Sequence, residues 1–310
     1  MRNRLSLLTA ALIGFGAGSA VAQDMPSSDQ APITVEGRRN RDENIRALVN
    51  SLPPSPVNGH VRRFEQAICP RVAGLPAAQR DAVIRRMRAI GGAAGVAIGS
   101  GDCRPNVLVL VTSDRRRLIE QLDLAFPNLF GGLSNREMTR LAASSEPAAL
   151  WYLTTLVDAD GRERGSGARG DPAEAEDPHR PVKEVFQRTT QPQSRIADLA
   201  HPDFYTTILV IDARALAGLS TTQLADYAAV RTLTGADPSR LGDAHVSTIL
   251  NVLDAPMGSE IPVTLTNWDL AFLRSLYASD ASRYAPGQRR EIRAAMSRQL
   301  APTAERAQPD

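Results

Sequence analysis

The stretch Thr206-Thr207-Ile208-Leu209-Val210-Ile211-Asp212, followed by Thr221-Thr222-Gln223-Leu224-Ala225-Asp226-Tyr227-Ala228-Ala229-Val230-Arg231-Thr232-Leu233, decides the fold. The first run is an apolar strand. Gly218 and Ser220 prepare a helix start, and Gly235, Asp237 and Pro238 stop the helix. Leu224, Ala225, Tyr227, Ala228, Ala229, Val230 and Leu233 spread around most of the helix circumference, so this helix belongs inside a core. Asp226 is the exception, because a carboxylate on such a helix is costly unless it is paired or hydrogen-bonded. It reads either as an ion pair with an arginine, as a helix edge that reaches solvent, or as an acid–base group in a cleft.

Working outward, the same alternation of strands and helices continues upstream. Ala82, Val83, Met87 and Ile90 mark a helix over 77–94, and Asn106–Thr112 is a continuous apolar strand suited to a buried position. Helices follow at 115–125 and, behind the N-cap Ser134 with Glu137 in its first turn, at 134–143. Leu150–Val157 is another strand. The glycine-rich run 91–101 lacks both phosphate-loop spacings and reads as a loop around a short strand, Val96–Ile98. Downstream, Thr266 with Asp269 forms a capping-box-like start to a helix whose apolar face is Trp268, Phe272, Leu273, Leu276 and Tyr277. Pro286-Gly287 breaks the chain before a last helix lined by Ile292, Met296 and Leu300.

These elements imply an α+β fold, a mixed sheet with helices in a single main domain over 61–300. The flanks are a flexible N-terminal segment at 23–60, a surface loop at 158–181 and a disordered tail at 301–310. Within the N-terminal segment, Ile33–Gly37 is a short β-prone run and Asp42–Leu52 a short helix.

The chain has 310 residues, 43% of them hydrophobic, enough for a real core. Arg2 and Arg4, the apolar run Leu5–Ala17 and Ala20-Val21-Ala22 form a secretory signal peptide over 1–22, cleaved near Ala22. The run is too short to span a bilayer, so no membrane insertion of the mature chain is expected, and localisation is periplasmic or secreted. The formal charge of +2 falls to about zero without Arg2 and Arg4, which gives no reason to expect nucleic acid as partner. Lys183 is the single lysine among 36 basic residues, and the dispersed arginines read as a compositional habit. In an oxidising compartment the two cysteines, Cys69 and Cys103, close a disulfide.

The order of segments from 206 to 280 resembles the C-terminal half of the zincin metallopeptidase fold. There, a helix reading H-E-x-x-H-x-x-G precedes an S-I-M segment and an L-T-x-x-D helix ending in L-Y. Here the matching segments are Ala225–Leu233, Ser247-Thr248-Ile249-Leu250 and Leu265–Tyr277. Ala225, Ala229 and Gly235 fall at the three ligand positions, and Asp226 falls where the glutamate base would be. The resemblance therefore implies a scaffold without its zinc, since a catalytic zinc needs three protein ligands. The A-D-Y-A-A and L-T-x-W-D wording also resembles a family of secreted proteobacterial proteins, and that likeness implies no activity.

No metal or other cofactor is expected. None of the histidines, His60, His179, His201 and His245, forms an i, i+4 pair; His60 and His179 fall in stretches read as mobile, while His201 and His245 flank the zincin-like half. The functional expectation is a non-catalytic pseudo-peptidase that binds an envelope protein or peptide. The alternative is a divergent envelope hydrolase using Asp226 with His201 or His245. Ile33–Gly37 further resembles the I-V-V-T-G signature of TonB-dependent receptors, whose strand adds to a partner's sheet edge; an ordinary extended leader is the simpler reading.

Overall fold

A computed structural model describes residues 30–55, 59–131, 133–158, 200–242, 244, 246–255 and 259–301. The chain divides into two units, residues 1–39 and 40–310. The first contributes the opening turns of helix α1, Gln30–Ser51. The second holds an α+β domain built on one mixed four-stranded sheet.

The sheet runs β1 (Pro70–Ala73), β2 (Val107–Thr112), β4 (Ala200–Asp212) and β3 (Ala148–Asp158) from edge to edge. β1, β2 and β4 are parallel, and β3 is antiparallel to β4. Alternation sorts the side chains into two cores. Val107 and Val109 of β2 and Leu209 and Ile211 of β4 face the larger core. It is filled by α1, α2 (Ala77–Ala93), α5 (Thr221–Thr234), α6 (Asn267–Ala278) and α7 (Ala285–Leu300). Ile208 and Val210 face a smaller one with Ala149, Trp151, Ile119 and Phe130, under α3 (Arg115–Ala125) and α4 (Asn135–Ala143). Helices on both faces explain why β2 and β4 carry apolar residues at consecutive positions.

The local signals behave as their chemistry requires. Ser134, Ser220 and Thr266 each close a reciprocal capping box with Glu137, Gln223 and Asp269. Gly235 ends α5 in the left-handed region at φ 67°, and a Cβ there would lie 2.8 Å from Pro53 Cγ and 2.9 Å from Phe204 Cζ. Gly74, at φ 83°, turns the chain from β1 to α2; a Cβ would meet the Val111 carbonyl oxygen at 1.9 Å, so only glycine fits. Cys69 and Cys103 stand at disulfide distance, with S–S 2.06 Å and a separation of 34 positions in sequence. No helix among the described residues is long and apolar enough to cross a membrane.

Five expectations are corrected. The core begins well before residue 61: Ile45, Leu48, Val49 and Leu52 of α1 and the following turn are buried, and His60 is buried too. Their i, i+3, i+4, i+7 spacing gives α1 one apolar stripe, which packs where the sequence implied a flexible segment. Ile33–Gly37 lies inside α1 and is neither strand nor extended leader, because a helix nucleated by packed turns extends cheaply. Val96–Ile98 supplies only an isolated bridge, Ile68 to Ile98. Pro286 sits in the first turn of α7, where its missing N–H costs nothing, and does not precede the helix. β4 also starts at Ala200, earlier than Thr206, which brings His201 and Asp203 into the sheet. The signal peptide at 1–22, nearly all of the 158–181 loop, His179, His245 and residues 302–310 lie outside the described residues.

Two measurements test this packing. Leu48→Ala, at a fully buried site of α1, is expected to lower unfolding stability by about 2–5 kcal/mol in urea titration. A change under about 0.5 kcal/mol would place α1 outside the core. Replacing both cysteines by serine is expected to cost about 3–4 kcal/mol on the chain-entropy account of a loop this long.

Candidate functional site

Asp226 projects from the second turn of α5 and is fully buried. Its carboxylate takes Arg86 Nε on Oδ1 at 2.7 Å and Arg86 Nη2 on Oδ2 at 3.1 Å. Oδ2 also accepts from Thr264 Oγ1 at 2.8 Å and from the Leu265 amide at 2.6 Å. Arg86 comes from α2, so one carboxylate ties α2, α5 and the chain entering α6 together. The bidentate pairing raises the Arg86 pKa above its usual value, chiefly through the hydrogen bond to Asp226. The carboxylate is shut off from solvent and held by four protein donors. Ala225 and Ala229, on the same helix, are both enclosed in the large core.

Asp269 plays a parallel part at the start of α6. Its oxygens accept from Thr248 Oγ1 at 2.5 Å, the Ile249 amide at 3.0 Å, and the Thr266 amide and hydroxyl at 2.9 and 2.8 Å. Burial pushes this carboxyl upward against the pull of the donors. It fastens the Thr248–Asn251 turn to the α6 N-terminus.

His201 is not joined to Asp226. The two residues have separate partners: His201 sits beside Asp203, two positions along the same face of β4. His201 Nε2 and Asp203 Oδ2 are 3.0 Å apart, with side chains 5% and 1% exposed. At that distance the two form an ion pair when the ring is protonated. His201 Nδ1, Asp203 Oδ1 and Thr155 Oγ1 have no hydrogen-bond partner. Thr155 lies directly opposite Asp203 in the β3–β4 register.

The segment 59–66 brings further groups to this end of the sheet. The Phe204 amide donates to the Arg63 carbonyl at 2.9 Å, running the segment alongside β4. Arg63 Nη1 donates to the Leu276, Tyr277 and Ser279 carbonyls at 2.8, 3.1 and 2.6 Å, capping the C-terminal end of α6. Its Nε holds Glu65 Oε1 at 2.6 Å. Glu65, His201 and Asp203 thereby present one ligand atom each, all within 4.8 Å of one another. His60 lies beside them, its ring centroid 5.5 Å from that of His201, with Nδ1 3.0 Å from the Arg283 carbonyl and 3.2 Å from that of Ala281. Two carbonyl neighbours put the His60 proton on Nδ1.

The electrostatics follow from burial and neighbours. Desolvation acts to lower the His201 pKa, but the adjoining Asp203 carboxylate and the Glu65 charge outweigh it, and the net shift is upward. Desolvation raises Asp203 above the ordinary carboxylate range, against the opposing effect of His201.

The sequence singled out His201 and Asp226 but not Glu65, Arg63 or His60, which stand far away along the chain. The one signal available for this cluster was the His201-Pro202-Asp203 spacing, since alternate positions of a strand share a face. Comparison with protein-family models, curated proteins and solved structures finds no match to this chain.

Because Asp226 binds structure together, Asp226→Ala is expected to lower unfolding stability by about 2–3 kcal/mol. That figure lies below the cost of breaking a wholly buried pair, since the Arg86 side chain is 41% exposed and can turn to water. A denaturant midpoint unchanged from the parent would contradict this role.

Proposed function

We propose that this protein is a non-catalytic periplasmic or secreted protein on a zincin-like scaffold, and that it holds an extended peptide or protein segment without cutting it. The observation that carries the reading is the enclosure of α5. Ala225 and Ala229, which the resemblance aligns with the ligand histidines, stand in the core, and Asp226 is bonded to Arg86, Thr264 and Leu265. The zincin-like reading is further supported by the sequence of β4, α5, the Ile249 turn and α6, with Asp269 joining the last two. An extracellular location is supported by the Cys69–Cys103 pair at bonding distance, since disulfides persist in oxidising compartments.

The partner class comes from β3. It is an eleven-residue strand that pairs with β4 and ends the sheet on that side among the described residues. An edge strand offers unpaired N–H and C=O groups to an added strand, and half-buried Leu150, Tyr152 and Leu156 give it side chains for selectivity.

Two assays test this reading. Incubated with casein and a quenched peptide library, with and without added Zn²⁺, the protein is expected to show no turnover above background. Sustained cleavage would overturn the non-catalytic reading. Immobilised protein is expected to retain members of a random extended-peptide library, and Thr154→Pro, placed at the β3 irregularity where a proline is tolerated, is expected to reduce retention at least about fivefold. No retention by the parent protein would remove the peptide-holding role.

A further inference from the structure

The Glu65–His201–Asp203 cluster has a feature that an ordinary buried ion pair does not explain. Buried polar groups in folded proteins almost always find partners, and each exception calls for a cause such as an ion. Here the exceptions are concentrated at one point. His201 Nδ1, Asp203 Oδ1 and the facing Thr155 Oγ1 all lack hydrogen bonds, and the His201 and Asp203 side chains are at least nine-tenths buried. His201 Nε2 and Asp203 Oδ2 hold each other at 3.0 Å, and that single contact leaves the other nitrogen of the ring and the other oxygen of the carboxylate unused.

We propose that Glu65, His201 and Asp203 form a binding site for one divalent first-row transition-metal ion, zinc or manganese. One imidazole and two carboxylates are a donor set both ions accept. Ligand atoms about 2.0–2.2 Å from an ion stand roughly 3–3.5 Å from one another, so atoms already within 4.8 Å need only a small contraction to close on it. The positive charge would offset two carboxylates, one of them buried almost completely. His201 and Asp203 are fixed by their strand, and Glu65 is steered by Arg63, whose Nη1 is locked on the α6 carbonyls. Exposed Glu65 supplies the entry side. This site lies on β4 and the segment before β1, and none of its ligands belongs to α5, so it is separate from the helix that carries the zincin resemblance and stands or falls apart from the peptide-holding role.

The experiment loads the full chain, purified without a histidine tag or chelator, with Zn²⁺ or Mn²⁺. Excess is then removed by dialysis and bound metal is counted by mass spectrometry. About one equivalent of either ion is expected to remain. Co²⁺ loaded in their place is expected to give d–d absorption bands that disappear in His201→Gln. Glu65→Gln changes an exposed side chain, leaves the circular dichroism spectrum unaltered, and is expected to weaken binding at least about tenfold. Retention below a tenth of an equivalent by the parent, or Glu65→Gln binding equal to the parent, overturns the proposal. If His201→Gln fails to fold, the Glu65→Gln comparison decides alone.

Discussion

A helix with no solvent face has to be surrounded, and the architecture follows from that constraint on α5. From Gln223 to Thr234 every residue of this helix is buried. β4 lies under it, α2 and α6 beside it, and α1 with α7 complete the same core. Burying a helix this thoroughly leaves its polar groups to be satisfied internally. Thr232 and Thr234 do so by donating to the carbonyls of Ala228 and Val230, each at 2.6 Å. Asp226 does so through four donors from outside the helix. The carboxylate that resembled a surviving catalytic group is what lets the helix be enclosed.

The arginines solve the same problem at the helix ends. α1 has no glycine to turn its last carbonyls away; Arg289 donates to the Val49 and Pro53 carbonyls and Arg240 to that of Leu52. Arg63 serves the end of α6, and Arg231 donates to the Ala236 carbonyl beyond α5. A guanidinium carries five donors in a fixed fork, so one side chain can quiet several orphaned carbonyls where an ammonium has a compact point of charge. The arginine excess that read as compositional habit thus carries specific work at several of its positions.

The two ends of the sheet differ in character. At the C-terminal ends of β2 and β4, Asp114 and Ser220 cap the helices α3 and α5 that follow. At the other end, β4 and β3 run past β2 and meet the segment 59–66, where polar groups from both strands are enclosed without partners. The buried carboxylates at 226 and 269 are held by four donors each, whereas Asp203 has only His201 beside it.

Most of the element pattern could be read from local chemistry. Ser134, Ser220 and Thr266 with their N3 partners mark helix starts, and Gly235 marks a helix stop, because capping involves residues within four positions of each other. The apolar runs at 107–112 and 206–212 announced strands covered on both faces, and the all-round apolar surface of α5 announced its burial. What local pattern could not tell was which distant residues meet. Whether Asp226 faced solvent, an arginine or a cleft depended on α2 delivering Arg86 from 140 positions away. Whether the Asp42–Leu52 helix was mobile or part of the core depended on Arg289 of α7 and Arg240 after α5 reaching its last carbonyls. The neighbours of His201 were decided the same way: β4 alone sets the His201–Asp203 pair two residues apart, but only the pairing of Phe204 with Arg63 sets Glu65 against it. Short-range hydrogen bonding and periodicity are written in consecutive residues, whereas the partner of a buried charge is chosen by how the layers close.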